Sequence, residues 1–130
     1  MKRLGALALV ALLSACQGDE TVAAYGAAGK TWHLTELGGV RFTARATVRF
    51  PEFGKIAGDG PCNRYSTSMT VPYPWFEAGT IQSTDMACPD LDAEHAFFAA
   101  LASMSQSEVW GDTMILRTED GQEMVFKASG

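Results

Sequence analysis

Three cysteines and two histidines are the residues of this chain with the chemistry to act as nucleophile, base or soft metal ligand. A thiolate nucleophile needs a neighbouring base and a lowered pKa. The pairs available are Cys62 or Cys88 with His33 or His95. His95 follows Glu94 in a helical pattern, and His33 alternates out of phase with Trp32 and Leu34, which turns it towards solvent. No catalytic constellation emerges, and the chain reads as non-enzymatic. Zinc needs four well-spaced ligands. Cys62, Cys88 and the two histidines carry neither C-x-x-C nor H-x-x-x-H spacing, so no metal and no cofactor is expected. Gly58-x-Gly60 lacks the further glycine, the lysine and the helix start of a phosphate loop. Asp59 and Asp85 each lie near a cysteine, and read as solvated turn residues in preference to an acidic pair.

What these residues offer instead is structure. Cys62 and Cys88 lie in two short stretches, 58–65 and 84–89, that punctuate an otherwise strand-like pattern. Asn63 sits beside a turn, where a side-chain amide satisfies backbone groups. It is read as a loop organiser in preference to a ligand contact. Tyr73-Pro74-Trp75-Phe76 is the best candidate for an exposed aromatic patch and a partner surface. The favoured alternative is that either Tyr73 and Trp75 or Pro74 and Phe76 enter the core.

The N-terminus supplies an address. Lys2 and Arg3 precede an apolar run, Leu4 to Leu13, of about ten residues, too short for the ~20 helical residues that span a bilayer. It reads as a secretory signal peptide over residues 1–15. Leu13-Ser14-Ala15-Cys16 resembles the bacterial lipobox, whose cysteine becomes the lipid-modified first residue. The alternatives are a plain signal peptide with a cysteine nearby, or a short buried helix; the n-region, apolar run and lipobox in that order favour the lipoprotein reading. Several acyl chains, at about 0.8 kcal/mol per buried CH₂, anchor a protein stably. Gln17 stands where an aspartate would retain an enterobacterial lipoprotein in the inner membrane. That resemblance implies a lipid anchor in the outer membrane, facing the periplasm.

Removing the leader takes Lys2 and Arg3 from the 10 basic residues and leaves 8 against 15 acidic ones, a net charge of −7. So acidic a protein has no electrostatic footprint for phosphate backbones, which excludes nucleic acid as a partner. With Cys16 lipidated, Cys62 and Cys88 remain as an even pair in an oxidising compartment. They are read as a disulfide, with buried thiols or a metal site as the alternatives. A bond closing this loop of about 27 residues stabilises by ~3.5 kcal/mol on the chain-entropy model.

The elements that must position these residues are mostly strands. Residues 17–29 hold only Val22 and Tyr25 as sizeable apolar residues, and read as a flexible tether from Cys16 to a domain over 30–130. Trp32 and Leu34 alternate with polar neighbours, and Gly38-Gly39 supplies a turn. In 44–50, Ala46, Val48 and Phe50 face one way and Arg45, Thr47 and Arg49 the other, so Thr47 is expected on the wet side. Shorter strand signals follow at 55–57, 65–71 and 79–84, with Pro72 and Pro74 confining their surroundings to an edge. The one helical signal is 90–104, where Glu94, Phe97, Phe98, Leu101 and Met104 recur at three- and four-residue steps. Asp90 suits its N-cap, and Asp92 and Glu94 suit its dipole. Strands at 108–118, broken at Gly111-Asp112, and 123–128 close the chain, with Asp120-Gly121 as a hairpin turn.

In order along the chain, these residues resemble the META domain family, which includes heat-inducible lipoproteins of the HslJ type. Trp32-x-Leu34 with Leu37-Gly38-Gly39 resembles its opening strand and turn. Gly58, then Cys62-Asn63-Arg64-Tyr65, resembles its first signature, and Thr84-x-Met86-Ala87-Cys88 its second. Glu94-x-x-Phe97-x-x-x-Leu101 resembles its helix, and Met114-x-Leu116 with Met124-x-Phe126 its closing strands. Pro61 departs from the pattern, standing where the family usually has glycine. The resemblance implies a mainly β (α+β) fold, a compact antiparallel barrel-like sheet with one helix packed against it. It marks Gly58, Asn63, Tyr65 and Thr84 as loop-organising residues. It also implies association with heat shock, motility and envelope stress, and no shared catalytic activity. The expected role is interaction with an envelope protein or with peptidoglycan. The alternative is a small-molecule or lipid carrier, with Trp32, Phe50, Phe98 and Trp110 lining an apolar cavity inside the barrel.

Overall fold

The computed structural model describes residues 18–129. The leader and Cys16 lie outside the described residues. Nine strands and one helix follow a short 3-10 helix, Val22–Tyr25. The strands are β1 (Thr31–Leu37), β2 (Val40–Arg41), β3 (Thr47–Val48), β4 (Lys55–Asp59), β5 (Arg64–Ser68) and β6 (Gln82–Ser83). The helix α1 (Leu91–Ser103) precedes β7 (Gln106–Trp110), β8 (Thr113–Arg117) and β9 (Glu123–Ser129). One sheet runs β2-β1-β9-β8-β7 with β3 also paired to β1, and a second runs β4-β5-β6; all pairings are antiparallel. The fold is mainly β with one helix, as expected, but the two sheets stay open and do not close into a barrel.

Local chemistry explains most of these elements. Leu37 pairs with Val40 across Gly38-Gly39, and both glycines have positive φ, at 62° and 83°. That is the backbone a two-residue hairpin needs to match strand twist. Period-two alternation buries Trp32 and Leu34 on β1, Met114 and Leu116 on β8, and Met124 and Phe126 on β9. These side chains meet Val48, Ile56, Phe97 and Leu101 in one continuous core. The helix contributes Phe97 and Leu101 because positions three and four apart share a face.

Three expectations are corrected. The segment read as a tether is packed from Thr21 onward: Val22, Ala23 and Ala27 are buried, and the indole of Trp32 donates to the Ala27 carbonyl at 2.9 Å. Small residues serve there because little room is left beside Trp32. The packed domain therefore begins near residue 21, not 30. Thr47, placed on the wet side by alternation, is fully buried. Its chain crosses from one sheet to the other, pairing Val48 with Trp32 and Arg49 with Ala57, and Gly58 lies close against the Thr47 carbonyl. Its hydroxyl accepts from the Asp59 amide at 2.9 Å. Asp90 occupies the N-cap position of α1 but makes no side-chain cap bond. Glu94 lies in the first turn of α1, as expected, and its carboxylate is buried and turned towards a loop.

Candidate functional site

The residues singled out by type and spacing converge on one junction. It joins the β4–β5 turn, the 84–88 loop and the first turns of α1. Cys62 and Cys88 form a disulfide with Cα atoms 5.7 Å apart, which ties the turn to the segment entering the helix. Their sulfurs are therefore not thiols, and carry no nucleophile.

Asn63 organises this junction more completely than sequence suggested. Its Nδ2 donates to the Met86 carbonyl at 2.9 Å and to Glu94 Oε2 at 2.6 Å. Its Oδ1 accepts from the Met86 amide at 2.7 Å and from the Thr84 hydroxyl at 2.8 Å. A buried amide with every donor and acceptor matched fixes a unique loop arrangement. Asn63 and Thr84 are thus tied to each other, and Asn63 to both sides of the Met86 backbone.

Glu94 is the partner that the sequence did not identify. Its Oε1 accepts from the backbone amides of Cys62 at 2.9 Å and Asn63 at 2.7 Å, beside the Asn63 Nδ2 bond to Oε2. Charge-assisted bonds of this kind are worth roughly 1.5–3 kcal/mol each. A buried carboxylate without them would cost several kcal/mol. The signal was present: Glu94 shares the helical phase of Phe97 and Leu101, and a carboxylate in an apolar stripe demands partners from elsewhere. Glycine is required next to it. A Cβ on Gly60 would lie 2.6 Å from Glu94 Oε1.

Gly58 and Tyr65 act one layer deeper. A Cβ on Gly58 would collide with the Thr47 carbonyl and the Tyr65 ring. That space lets the Tyr65 hydroxyl donate to the Thr47 carbonyl at 2.7 Å. Burial pushes the Tyr65 phenol well above its ordinary value, so it stays a neutral donor. Its ring packs edge-on against Phe97 and Phe98, with centroids 5.5 and 5.3 Å away.

The remaining residues separate. Asp59 faces Arg45 at 3.5 Å and Arg49 at 3.8 Å, while Asp85 is exposed. His33 Nε2 lies 3.0 Å from the Ser129 hydroxyl, at the far end of the chain from the cysteines. Among the described residues, no group of three or more His, Cys, Asp or Glu side chains is placed to hold a metal ion. Trp32 and Phe50 are buried in the core and Phe98 is half-buried against it. Trp110, expected to line an interior, is 70% exposed on β7. Trp110 therefore shares no interior with the other three, which belong to the core or pack against it. Of Tyr73-Pro74-Trp75-Phe76, Phe76 enters the core while Trp75 is largely exposed and Tyr73 half-buried. A hollow of about 230 Å³ opens beside the junction, between Met86 and the helix residues His95 and Phe98.

A family model described as META domain matches residues 26–130. No curated protein matches the chain by sequence. Among solved structures, the NMR structure of a protein from Burkholderia xenovorans is similar, with a TM-score of 0.64 at 20% identity and 99% of each chain covered. A second NMR structure gives a TM-score of 0.60 at 20% identity, covering 75% of this chain and 87% of the other. At that identity the likeness is one of fold.

Proposed function

The chain belongs to the META domain family, and on that premise we propose that it is a lipid-anchored, non-enzymatic protein of the bacterial envelope. In this reading the leader is cleaved, Cys16 carries the lipid in the outer membrane, and the domain faces the periplasm. It serves there in interaction with an envelope protein or peptidoglycan, under heat shock or envelope stress.

The observation that supports a non-enzymatic role is the fate of the signature residues. Asn63 makes four side-chain hydrogen bonds and Glu94 accepts three, all inside the domain. Both cysteines are bonded to each other. Groups matched in this way hold a scaffold, and leave no base beside a nucleophile. Nothing favours the carrier alternative, since its lining residues are divided between a filled core and the surface.

Chemical crosslinking in intact cells, with and without heat stress, tests the proposal. The expected result is one reproducible adduct, with a single envelope protein or with peptidoglycan, that is lost in Cys16→Ser. Recovery of the uncrosslinked chain alone under every condition overturns it.

A further inference from the structure

Among the described residues, six large hydrophobic side chains stand more than half exposed, and three of them gather along the outer edge of β7: Tyr25 at 54%, Trp75 at 54% and Trp110 at 70%. Trp75 is bridged to Gln106, at the start of that strand. The turn after Tyr25 lies against its far half, where a Cβ on Gly26 would come 3.1 Å from Val109. Trp110 ends the strand. Tyr73 joins the row by stacking on Tyr25, with ring centroids 4.7 Å apart and planes 9° from parallel. The other three, Val40, Phe53 and Met86, stand singly on β2 and on loops, as scattered surface apolar residues do.

The chain that leads to Cys16 leaves the domain beside this row. The Tyr73 amide donates to the Glu20 carbonyl at 2.7 Å, and the Thr21 amide and hydroxyl both donate to Asp19 Oδ1, at 2.8 and 2.6 Å. Residue 16 precedes Glu20 by four positions, which reach at most about 14 Å when fully extended. The headgroup layer of one leaflet is itself roughly 5–8 Å thick. A domain held so closely cannot drift away from the bilayer surface.

We propose that Tyr25, Tyr73, Trp75 and Trp110 form the face on which the domain rests in the headgroup layer of its own membrane. The inference rests on the lipid-anchor reading above. Tyrosine and tryptophan suit that layer because each has an apolar body and a polar tip. Charge selects the lipid. Glu77 and Glu108 lie two residues from Trp75 and Trp110, Glu20 meets Tyr73 through its carbonyl, and the chain without its leader is acidic. Zwitterionic headgroups fit the face, and anionic ones repel it. Docking in this way would present the rest of the domain to the periplasm in a fixed orientation.

The test uses the full-length lipidated protein in phosphatidylethanolamine–phosphatidylcholine vesicles whose acyl chains carry bromine near the headgroup. Trp110→Phe leaves Trp75 as the exposed reporter, with Trp32 shielded in the core. The expected result is a loss of about twofold in exposed-tryptophan emission relative to unbrominated vesicles, as for an interfacial indole. The loss should shrink in phosphatidylglycerol-rich vesicles. Emission that stays unquenched while the protein still floats with the vesicles overturns the docking face and leaves the anchor intact. Protein that fails to float, behaving like Cys16→Ser, overturns the lipoprotein reading and the docking with it.

Discussion

The cysteine–asparagine junction and the outer edge of β7 invert what their residue types suggest. The junction holds the residues with the chemistry to react, namely two cysteines, a carboxylate and an amide. There the sulfurs are joined and each polar side chain finds partners inside the fold. The β7 edge holds ordinary strand and turn residues, and leaves Trp75 and Trp110 open to solvent. Satisfaction and exposure, not residue type, distinguish a scaffold from a surface that meets other molecules.

The contrast breaks most sharply at Glu94. Glu94→Ala leaves the amides of Cys62 and Asn63 and the Asn63 side chain without their acceptor, and should cost about 4 kcal/mol of stability in urea unfolding. A loss below ~1 kcal/mol would mean the loop finds other partners and the carboxylate is not its keystone. Next in size is the disulfide. Replacing both Cys62 and Cys88 by alanine should lower stability by ~3.5 kcal/mol, provided the unfolded chain gains the expected freedom.

Asn63→Ala sharpens the same side of the comparison. Combined with Glu94→Ala in a double-mutant cycle, it should show a coupling energy of roughly 1–3 kcal/mol, because the two side chains share one network. Additive losses would separate them into independent contacts. On the β7 side the expected effects are small. Trp110→Ser should change stability by no more than about 0.5 kcal/mol, the range for exposed substitutions. A larger loss would make that edge part of the scaffold after all.

The smallest effect is electrostatic and belongs to the same edge. The Trp110 indole and the Arg117 guanidinium hold the Glu108 carboxyl below its ordinary value of 4.5. The unfolded chain then binds more protons than the folded one over this range. The stabilisation is complete above pH 4.5 and fades as pH falls through the lowered folded value. In acid titrations, the stability difference between the native protein and Glu108→Gln should narrow below that pH. A difference that stays constant would show that the pair contributes nothing through charge.

Much of the fold was legible because its causes are local. Period two marked β1, β8 and β9, Gly38-Gly39 marked a hairpin, and Glu94, Phe97 and Leu101 marked the buried side of α1. The same rule failed at Thr47, since alternation assumes one wet face and this residue sits where the chain passes between the sheets, its hydroxyl accepting from the Asp59 amide of β4. Composition misled at 21–27, where Val22, Ala23 and Ala27, read as part of a tether, are buried. Asn63 was recognisable as an organiser from its place by a turn. The identity of its partner was not, because Glu94 lies 31 residues further along the chain.

The sequence by itself marked most of the strands and the helix through spacing between near neighbours, a disulfide-forming pair through a count, and the family through its resemblance along the chain. Tertiary structure alone decided that the sheets stay open, that Glu94 closes the loop and that Trp110 faces outward. Those outcomes depend on which distant segments share one volume. Short-range periodicity carries no record of that, since burial is a property of the assembled chain.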